Sequence, residues 1–248
     1  MDQAVADKPT DDPALERRVD SLLKGAIDMH CHSGPSVMPR CLDHIEALEE
    51  AGAAGLRGLL FKDHYYSATP ITELLKGRYA RLGVQMFSGV PLNDTTGGLN
   101  PWAVDHGLKL GARLVWMPTF SAANHIRHKK QRGVKRRLVQ HPTYTIDATL
   151  TDIRELAEGG AYLEHSLCMF IDESRFKHWT GDELNEMIVA GTFEHTILGS
   201  DLGQIKNPTP VTGFRAVIRL CISMGYSDAQ IRALVGGNAA RLMGIDDN

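Results

Sequence analysis

Asp28, His30 and His32 alternate along the run Gly25-Ala26-Ile27-Asp28-Met29-His30-Cys31-His32. On a β-strand a period of two places these side chains on one face. Two imidazoles at that spacing can converge on one cation, with Asp28 deeper along the strand to orient a ligand. The run begins apolar and ends polar, as expected of a buried strand that delivers its chemistry at the C-terminal edge.

Further clusters with titratable groups fall where later strands should end. In Phe61-Lys62-Asp63-His64, Lys62 and His64 share a face. A buried lysine is costly unless paired or functional, so Lys62 reads as a carbamylated metal bridge, a contact to a substrate anion, or an exposed loop lysine. His64 is expected at or beside the metal. His141 precedes Pro142, and a proline restricts the residue before it to extended backbone, which should hold the imidazole at the rim as a ligand. In Tyr162-Leu163-Glu164-His165 only one of the last two residues can face inward. His165 is preferred, because neutral imidazole suits a borderline divalent metal, and Glu164 takes its place if the register slips by one. Leu198-Gly199-Ser200-Asp201-Leu202-Gly203-Gln204 brings Asp201 to the end of the last strand. There it can bind the metal and accept the proton of metal-bound water, while the flanking glycines let substrate approach the backbone. The expected metal ligands are therefore His30, His32, His141, His165 and Asp201, and the expected catalytic groups Asp201, Lys62 and His64. Asn124-His125 lies in a loop whose geometry the sequence does not give. His44, His106, His178 and His195 read as surface or capping residues, and Trp102, Trp116 and Trp179 as core.

These residues need elements to hold them. Apolar runs predict strands over 25–32, 56–64, 84–90, 113–117, 137–140, 161–163 and 196–199, separated by helical patterns over 43–54, 69–82, 101–110, 150–158, 182–190, 211–224 and 228–242. Asp43 is placed to cap its helix and Gly55 to end it. Strict alternation implies parallel strands joined by right-handed crossovers. No Gly-x-Gly-x-x-Gly turn follows the first strand, and chemistry recurs after several strands, so the fold class expected is α/β, a distorted TIM-like (β/α) barrel of seven or eight strands. Between Thr119 and Arg137 a strand and helix are missing. The stretch carries Arg127, Lys129, Lys130, Arg132, Lys135, Arg136 and Arg137, and reads as a solvated loop or an anion-attracting lid, with 120–135 expected to be a long exposed connection. The strands on either side should then close directly on each other or be covered by a second subunit.

The 248 residues, 43% hydrophobic and 23% charged, suit a soluble domain with ample core. A polar N-terminal leader over 1–24 and a single metal-dependent hydrolase barrel over 25–248 are expected. A net charge of -3 gives no global pull toward nucleic acid or an anionic membrane. No signal peptide or membrane span is evident, so the chain is expected in the cytoplasm. Cys31, Cys41, Cys168 and Cys221 form no Cys-x-x-Cys pair and should be reduced. The partner expected is a small-molecule substrate, with no nucleic acid and no membrane, and a homo-oligomer left open.

Asp28-x-His30-x-His32, His141, His165 and Asp201 at successive strand ends resemble the pattern of the amidohydrolase superfamily. The ending Gly237-Asn238-Ala239-Ala240-Arg241-Leu242-Met243-Gly244 looks like that superfamily's Asn-Pro-Ala-Arg-Leu-Leu-Gly close, with Ala239 in place of the proline. Gly97-Gly98-Leu99-Asn100-Pro101, Val115-Trp116-Met117-Pro118-Thr119, Ala123-Asn124-His125 and Ser200-Asp201-Leu202-Gly203-Gln204 look closest to an uncharacterised branch. The likeness runs from about Gly25 to Ile245. It implies a distorted barrel with one divalent metal, or two, zinc being favoured, and a metal-activated water attacking an amide, ester, lactone or related bond of a small molecule. No lysine or glutamate on the fourth strand offers a bridge between two metals, which favours a single ion. The competing readings are a catalytically silent barrel that binds a ligand or partner, and a histidinol-phosphatase-like phosphoesterase suggested by Lys62-Asp63-His64.

Overall fold

Parallel strands dominate the computed structural model, which describes residues 5–119 and 137–245. One sheet holds β1 (Ile27–Cys31), β2 (Gly58–Phe61), β3 (Gln85–Pro91) and β4 (Leu114–Trp116), in that order. A second holds β5 (Arg137–Gln140), β6 (Ala161–Ser166) and β7 (Thr196–Gly199). The two sheets meet where the exit of β7 runs beside β1. There Asp201 N donates to His30 O at 2.9 Å and His32 N to Leu202 O at 2.8 Å. All seven strands fall where the apolar runs place them. Among the described residues β4 and β5 do not pair, so the expected direct closure at that point is not seen. An opening of about 220 Å³ lies between them, lined by Trp116, Leu138, Gln140 and Ile146. The expected connection over 120–135, Asn124-His125 included, lies outside the described residues.

Helices fill the crossovers: α1 (Pro13–Leu23), α2 (His44–Ala54), α3 (Thr69–Tyr79), α4 (Pro101–Lys109), the short α5 (Pro142–Thr145), α6 (Leu150–Glu158), α7 (Gly181–Gly191), α8 (Pro210–Ser223), α9 (Asp228–Arg232) and α10 (Asn238–Met243). Asp43 caps α2 in a capping box with Glu46, and Gly55 ends it with φ 76°, a left-handed turn that glycine adopts without a Cβ penalty. No described helix is long and apolar enough to cross a membrane. Within the stretch expected to be a polar leader, α1 packs on α8 and buries Val19, Leu22 and Leu23, so that segment contributes to the core. The single helix expected over 228–242 is broken by a π-helical turn, Ala233–Gly237. A Cβ at Gly236 would lie 2.8 Å from the Gly25 carbonyl oxygen, so the extra turn and the glycine let the helix meet the chain entering β1.

Strand alternation sorts the core into two layers. Ile27, Met29, Leu60, Phe87, Trp116 and Ile197 pack inside the curl of the sheets with Ala239, Leu242 and Met243 of α10. Cys31, Leu59, Phe61, Met86, Leu163 and Leu198 face outward against the helices. Each fully buried aliphatic or aromatic side chain removes enough apolar surface to contribute roughly 1.5–3 kcal/mol. Asn238 is buried within this end and donates through Nδ2 to the carbonyls of Phe193 and Thr196, clamping the start of β7. The apolar plug sits where the strands begin, which leaves their C-terminal ends for polar groups.

Candidate metal centre

The pairing of β1 with β2 shifts between Asp28 and Cys31, so β1 carries an extra residue opposite Leu60. This bulge breaks the simple alternation expected for Asp28, His30 and His32. Ile27 and Met29 point into the interior cluster, and beyond the bulge His30 and His32 turn inward at the mouth. Asp28 lies at the seam between β1 and β7 instead. Its Oδ1 accepts from His30 N and Ser200 N, both at 2.9 Å, and its Oδ2 from the Ser200 hydroxyl. It orients His30 through the backbone, a part of the expected role. Burial pushes the Asp28 pKa up, against the hydrogen bonds from Ser200 and His30.

The inward side chains converge. His30 Nε2 lies 3.2 Å, and His32 Nε2 3.1 Å, from Asp201 Oδ1, while His141 Nε2 lies 3.9 Å from Asp201 Oδ2. One ligand atom each from His30, His141 and Asp201 falls within 4.8 Å of the others. The outer nitrogens fix the tautomers: His30 Nδ1 donates to Glu164 Oε1 at 2.7 Å and His32 Nδ1 to the Lys62 carbonyl at 3.1 Å. Each histidine therefore aims an Nε2 lone pair at a carboxylate oxygen. Acceptors that face one another this closely need a positive charge among them, and Lys62 Nζ, 2.8 Å from His30 Nε2, is the one the described residues supply.

Electrostatics agree with that demand. Burial works to raise the Asp201 pKa, yet the adjacent His30, His32 and His141 outweigh it and hold the carboxyl well below its usual range. Burial lowers His32 and His141 to about 4 each, against the pull of Asp201. Asp201 is thus held as a carboxylate, and His32 and His141 are held toward the neutral form, the protonation states a borderline divalent cation binds. Glu164, fully buried, is also held below its ordinary value because His30 overcomes the burial penalty.

Lys62 is 2% exposed and so is no loop lysine. Its Nζ donates to His30 Nε2 at 2.8 Å and to Gln140 Oε1 at 3.2 Å, and Gln140 Nε2 donates to Glu164 Oε2 at 2.9 Å. Burial lowers the Lys62 pKa, opposed by Asp201 and Glu164. His64 stacks on His32 with ring centroids 5.2 Å apart and shares a hydrogen bond with Thr119 through Nδ1 at 3.1 Å. Burial, with Lys62 and His32 nearby, depresses its pKa to about 2. A cavity of about 670 Å³ opens over this floor and reaches Tyr144, Cys168, Arg175 and Phe176.

Three expectations change. His165 does not reach the centre: Gln140 pairs with Glu164 and Leu138 with Tyr162 on the inner face, so His165 shares the outer face with Leu163. It is fully buried and lies edge-on to Phe170 with centroids 6.4 Å apart. Glu164, the alternative if the register slips by one, takes the inward place. His141 does not leave β5 in an extended conformation. Its φ is 31° and ψ 62°, because Pro142 opens α5 at once and His141 N donates to Glu164 O at 2.7 Å. Asp201 shares that unusual geometry with φ 49°, and side chains held in the left-handed region at a cost of about 1–3 kcal/mol are characteristic of sites. Finally, the glycines beside Asp201 serve the protein's own packing. A Cβ at Gly203, φ 114°, would collide with the His32 carbonyl, and one at Gly199 would press on the Glu164 carboxyl.

The structure thus gathers His30, His32, His141, Asp201, Lys62 and His64 and excludes His165. Sequence reasoning missed Gln140 and Ser200, and placed Glu164 second. One signal was available for Glu164: Leu163 belongs against the helix layer, and alternation then sends Glu164 inward.

The curled parallel sheets with polar strand ends define an α/β fold shared with amidohydrolase structures. The chain resembles an amidohydrolase from Pseudomonas aeruginosa, with 9% identity over 92% of this chain and 98% of that one and a TM-score of 0.60. It resembles the probable dipeptidase PvdM from the same organism at 12% identity, 93% and 98% coverage and a TM-score of 0.58. An enamidase described as a member of the amidohydrolase superfamily aligns at 14% identity over 89% of this chain and 67% of that one, with a TM-score of 0.53. At these identities the likeness establishes the fold. A family of unknown function, DUF6282, matches residues 25–133, a span with His30, His32, Lys62 and His64 but not His141 or Asp201. No curated protein matches the chain.

Proposed function

We propose that this chain is a metal-dependent hydrolase acting on an amide, ester, lactone or related bond of a small molecule. Asp201 and the Nε2 atoms of His30, His32 and His141 would hold one divalent cation, zinc being the best match to a nitrogen-rich set with one carboxylate. The observation that carries the reading is the convergence of the His30 and His32 Nε2 atoms on Asp201 Oδ1 at 3.2 and 3.1 Å, with their Nδ1 atoms already engaged. A cation bound there would supply a Lewis acid and lower the pKa of water toward neutrality.

The chain's own groups provide the rest. Asp201, ionised and 14% exposed, faces the cavity and can take a proton from water and return it to a leaving group. Glu164 fixes the His30 ring and raises its basicity as a ligand. A cation on His30 Nε2 would displace the Lys62 hydrogen bond to that atom and leave Lys62 Nζ tied to Gln140, where it can donate to a substrate oxygen, in keeping with the anion-contact role. His64, kept neutral, borders the same floor and can orient the substrate with Thr119. Asp28 and Ser200 lock the seam that carries His30 and Asp201 together.

The experiment is hydrolysis of a panel of p-nitrophenyl esters, lactones and dipeptides by zinc-reconstituted protein and by Asp201→Asn. Turnover by the parent, reduced by about 10²-fold or more in the variant, is the expected result. Absence of turnover across the panel by fully loaded protein would favour the silent barrel.

A further inference from the structure

One face of the cavity is charged for a ligand the metal centre does not need. Its wall carries Lys62, Arg175 and Lys177 against the single carboxylate of Asp201. The whole chain is net negative, at -3, so the positive cavity is a local feature. Lys177 is paired with Asp172 and Lys62 is engaged with His30 and Gln140. The Arg175 guanidinium has no carboxylate partner among the described residues. It lies 4.7 Å from the Phe176 ring centroid, which steadies its plane and leaves its N–H edge for a ligand.

Arg175 is also tied to the reacting end of the site. Its backbone N–H donates to Asn207 Oδ1 at 3.1 Å, Asn207 Nδ2 to Gln204 Oε1 at 3.1 Å, and Gln204 Nε2 to Asp201 O at 2.9 Å. Asn207 is fully buried and Gln204 nearly so. Two amides thus fix the Arg175 segment relative to the backbone of Asp201. Phe176 and Tyr144 supply exposed aromatic surface to the same cavity, at 41% and 60% exposure.

We propose that Arg175 is a carboxylate-binding residue, and that the substrates are small organic acids whose carboxylate docks on its guanidinium while the scissile bond lies at Asp201. A planar guanidinium recognises a carboxylate through two parallel N–H donors, which a neutral amide of equal shape cannot match. The aromatic wall fits an apolar or aromatic body between the two ends. This rests on the hydrolase reading above for the position of the scissile bond.

The test uses the full-length zinc-loaded chain and two probes of one shape, N-benzoylglycine and its neutral primary amide, with affinities measured by calorimetry and metal content measured on the same samples. The acid should bind about tenfold or more tightly than the amide. Arg175→Ala should reduce that preference to about threefold or less at unchanged metal content, and Arg175→Lys should restore part of it. The preference should persist in His30→Ala/His32→Ala, because the guanidinium rather than the cation holds the carboxylate. Equal binding of acid and amide, failure of the acid to bind, or a preference that survives Arg175→Ala with a full metal complement overturns the carboxylate site and leaves the metal centre standing. An Arg175-dependent preference in a chain that takes up no metal supports the carboxylate site and overturns the hydrolase reading alone.

Discussion

Replacing His165 by leucine should stabilise this protein, and by more at low pH than at neutral pH. The imidazole is fully buried, and neither ring nitrogen has a partner among the described residues. Removing those atoms relieves a desolvation cost of about 1–3 kcal/mol, less the penalty of up to ~1.5 kcal/mol for an imperfect fit of leucine. Acid adds a second effect. Burial lowers the His165 pKa from 6.5 to about 4, so the unfolded chain takes up its proton near 6.5 while the folded chain resists until near 4. A depressed histidine costs nothing at pH 7.5; its cost begins as pH falls through the unfolded value and is complete below the folded one. Between pH 7.5 and pH 5 the wild type therefore loses about 2 kcal/mol through this residue, and the leucine variant loses none. Urea denaturation followed by tryptophan fluorescence at both pH values reads the difference directly. The stability gap should widen by about 2 kcal/mol on acidification, with bound metal unchanged at both pH values. A gap that stays constant refutes the argument, and loss of metal in the variant restores His165 as a ligand.

Other consequences follow from the same geometry. Glu164→Gln keeps the shape beside His30 Nδ1 but removes the charge, and should weaken metal affinity about 10–100-fold in a chelator competition, with the thermal midpoint of the loaded protein largely kept. Gly203→Ala forces a Cβ onto the His32 carbonyl at φ 114°, so it should cost about 2 kcal/mol or more in urea denaturation and lower metal uptake as well. With His32 and His141 held to about 4 by burial, these two imidazoles stay neutral well below pH 6.5, and dialysis against buffers of falling pH should release metal only below about pH 5. Release centred near pH 6.5 would show these imidazoles to be solvated.

Much of this arrangement was legible in the residues themselves. The runs around Ile27, Leu60 and Ile197 gave the strands their places, and polar residues after apolar runs located the C-terminal edge where His30, Lys62, His141 and Asp201 meet. What failed was register and local backbone. The bulge in β1 has no signature in Asp28-Met29-His30, so the shared face of Asp28 with the histidines could not be corrected without the pairing partner. Metal preference favours His165 over Glu164, whereas packing decides for Glu164: Leu163 seeks the helix layer and alternation does the rest. The rule that a residue before proline is extended lost at His141, because a helix starts at Pro142 and Glu164 O fixes the His141 amide. The roles of Gly199 and Gly203 depend on a close approach between the β7 exit and its neighbours, a long-range contact that no local pattern encodes.

A single cation held by His30, His32, His141 and Asp201 can be counted by elemental analysis of the purified chain after zinc reconstitution. About one ion per chain is expected in the parent, and well below one in His30→Ala/His32→Ala with an unchanged circular dichroism spectrum, because ligands at the strand ends contribute more to the ion than to the core. Well below one ion per chain in the reconstituted parent, or full occupancy in the double variant, would contradict it.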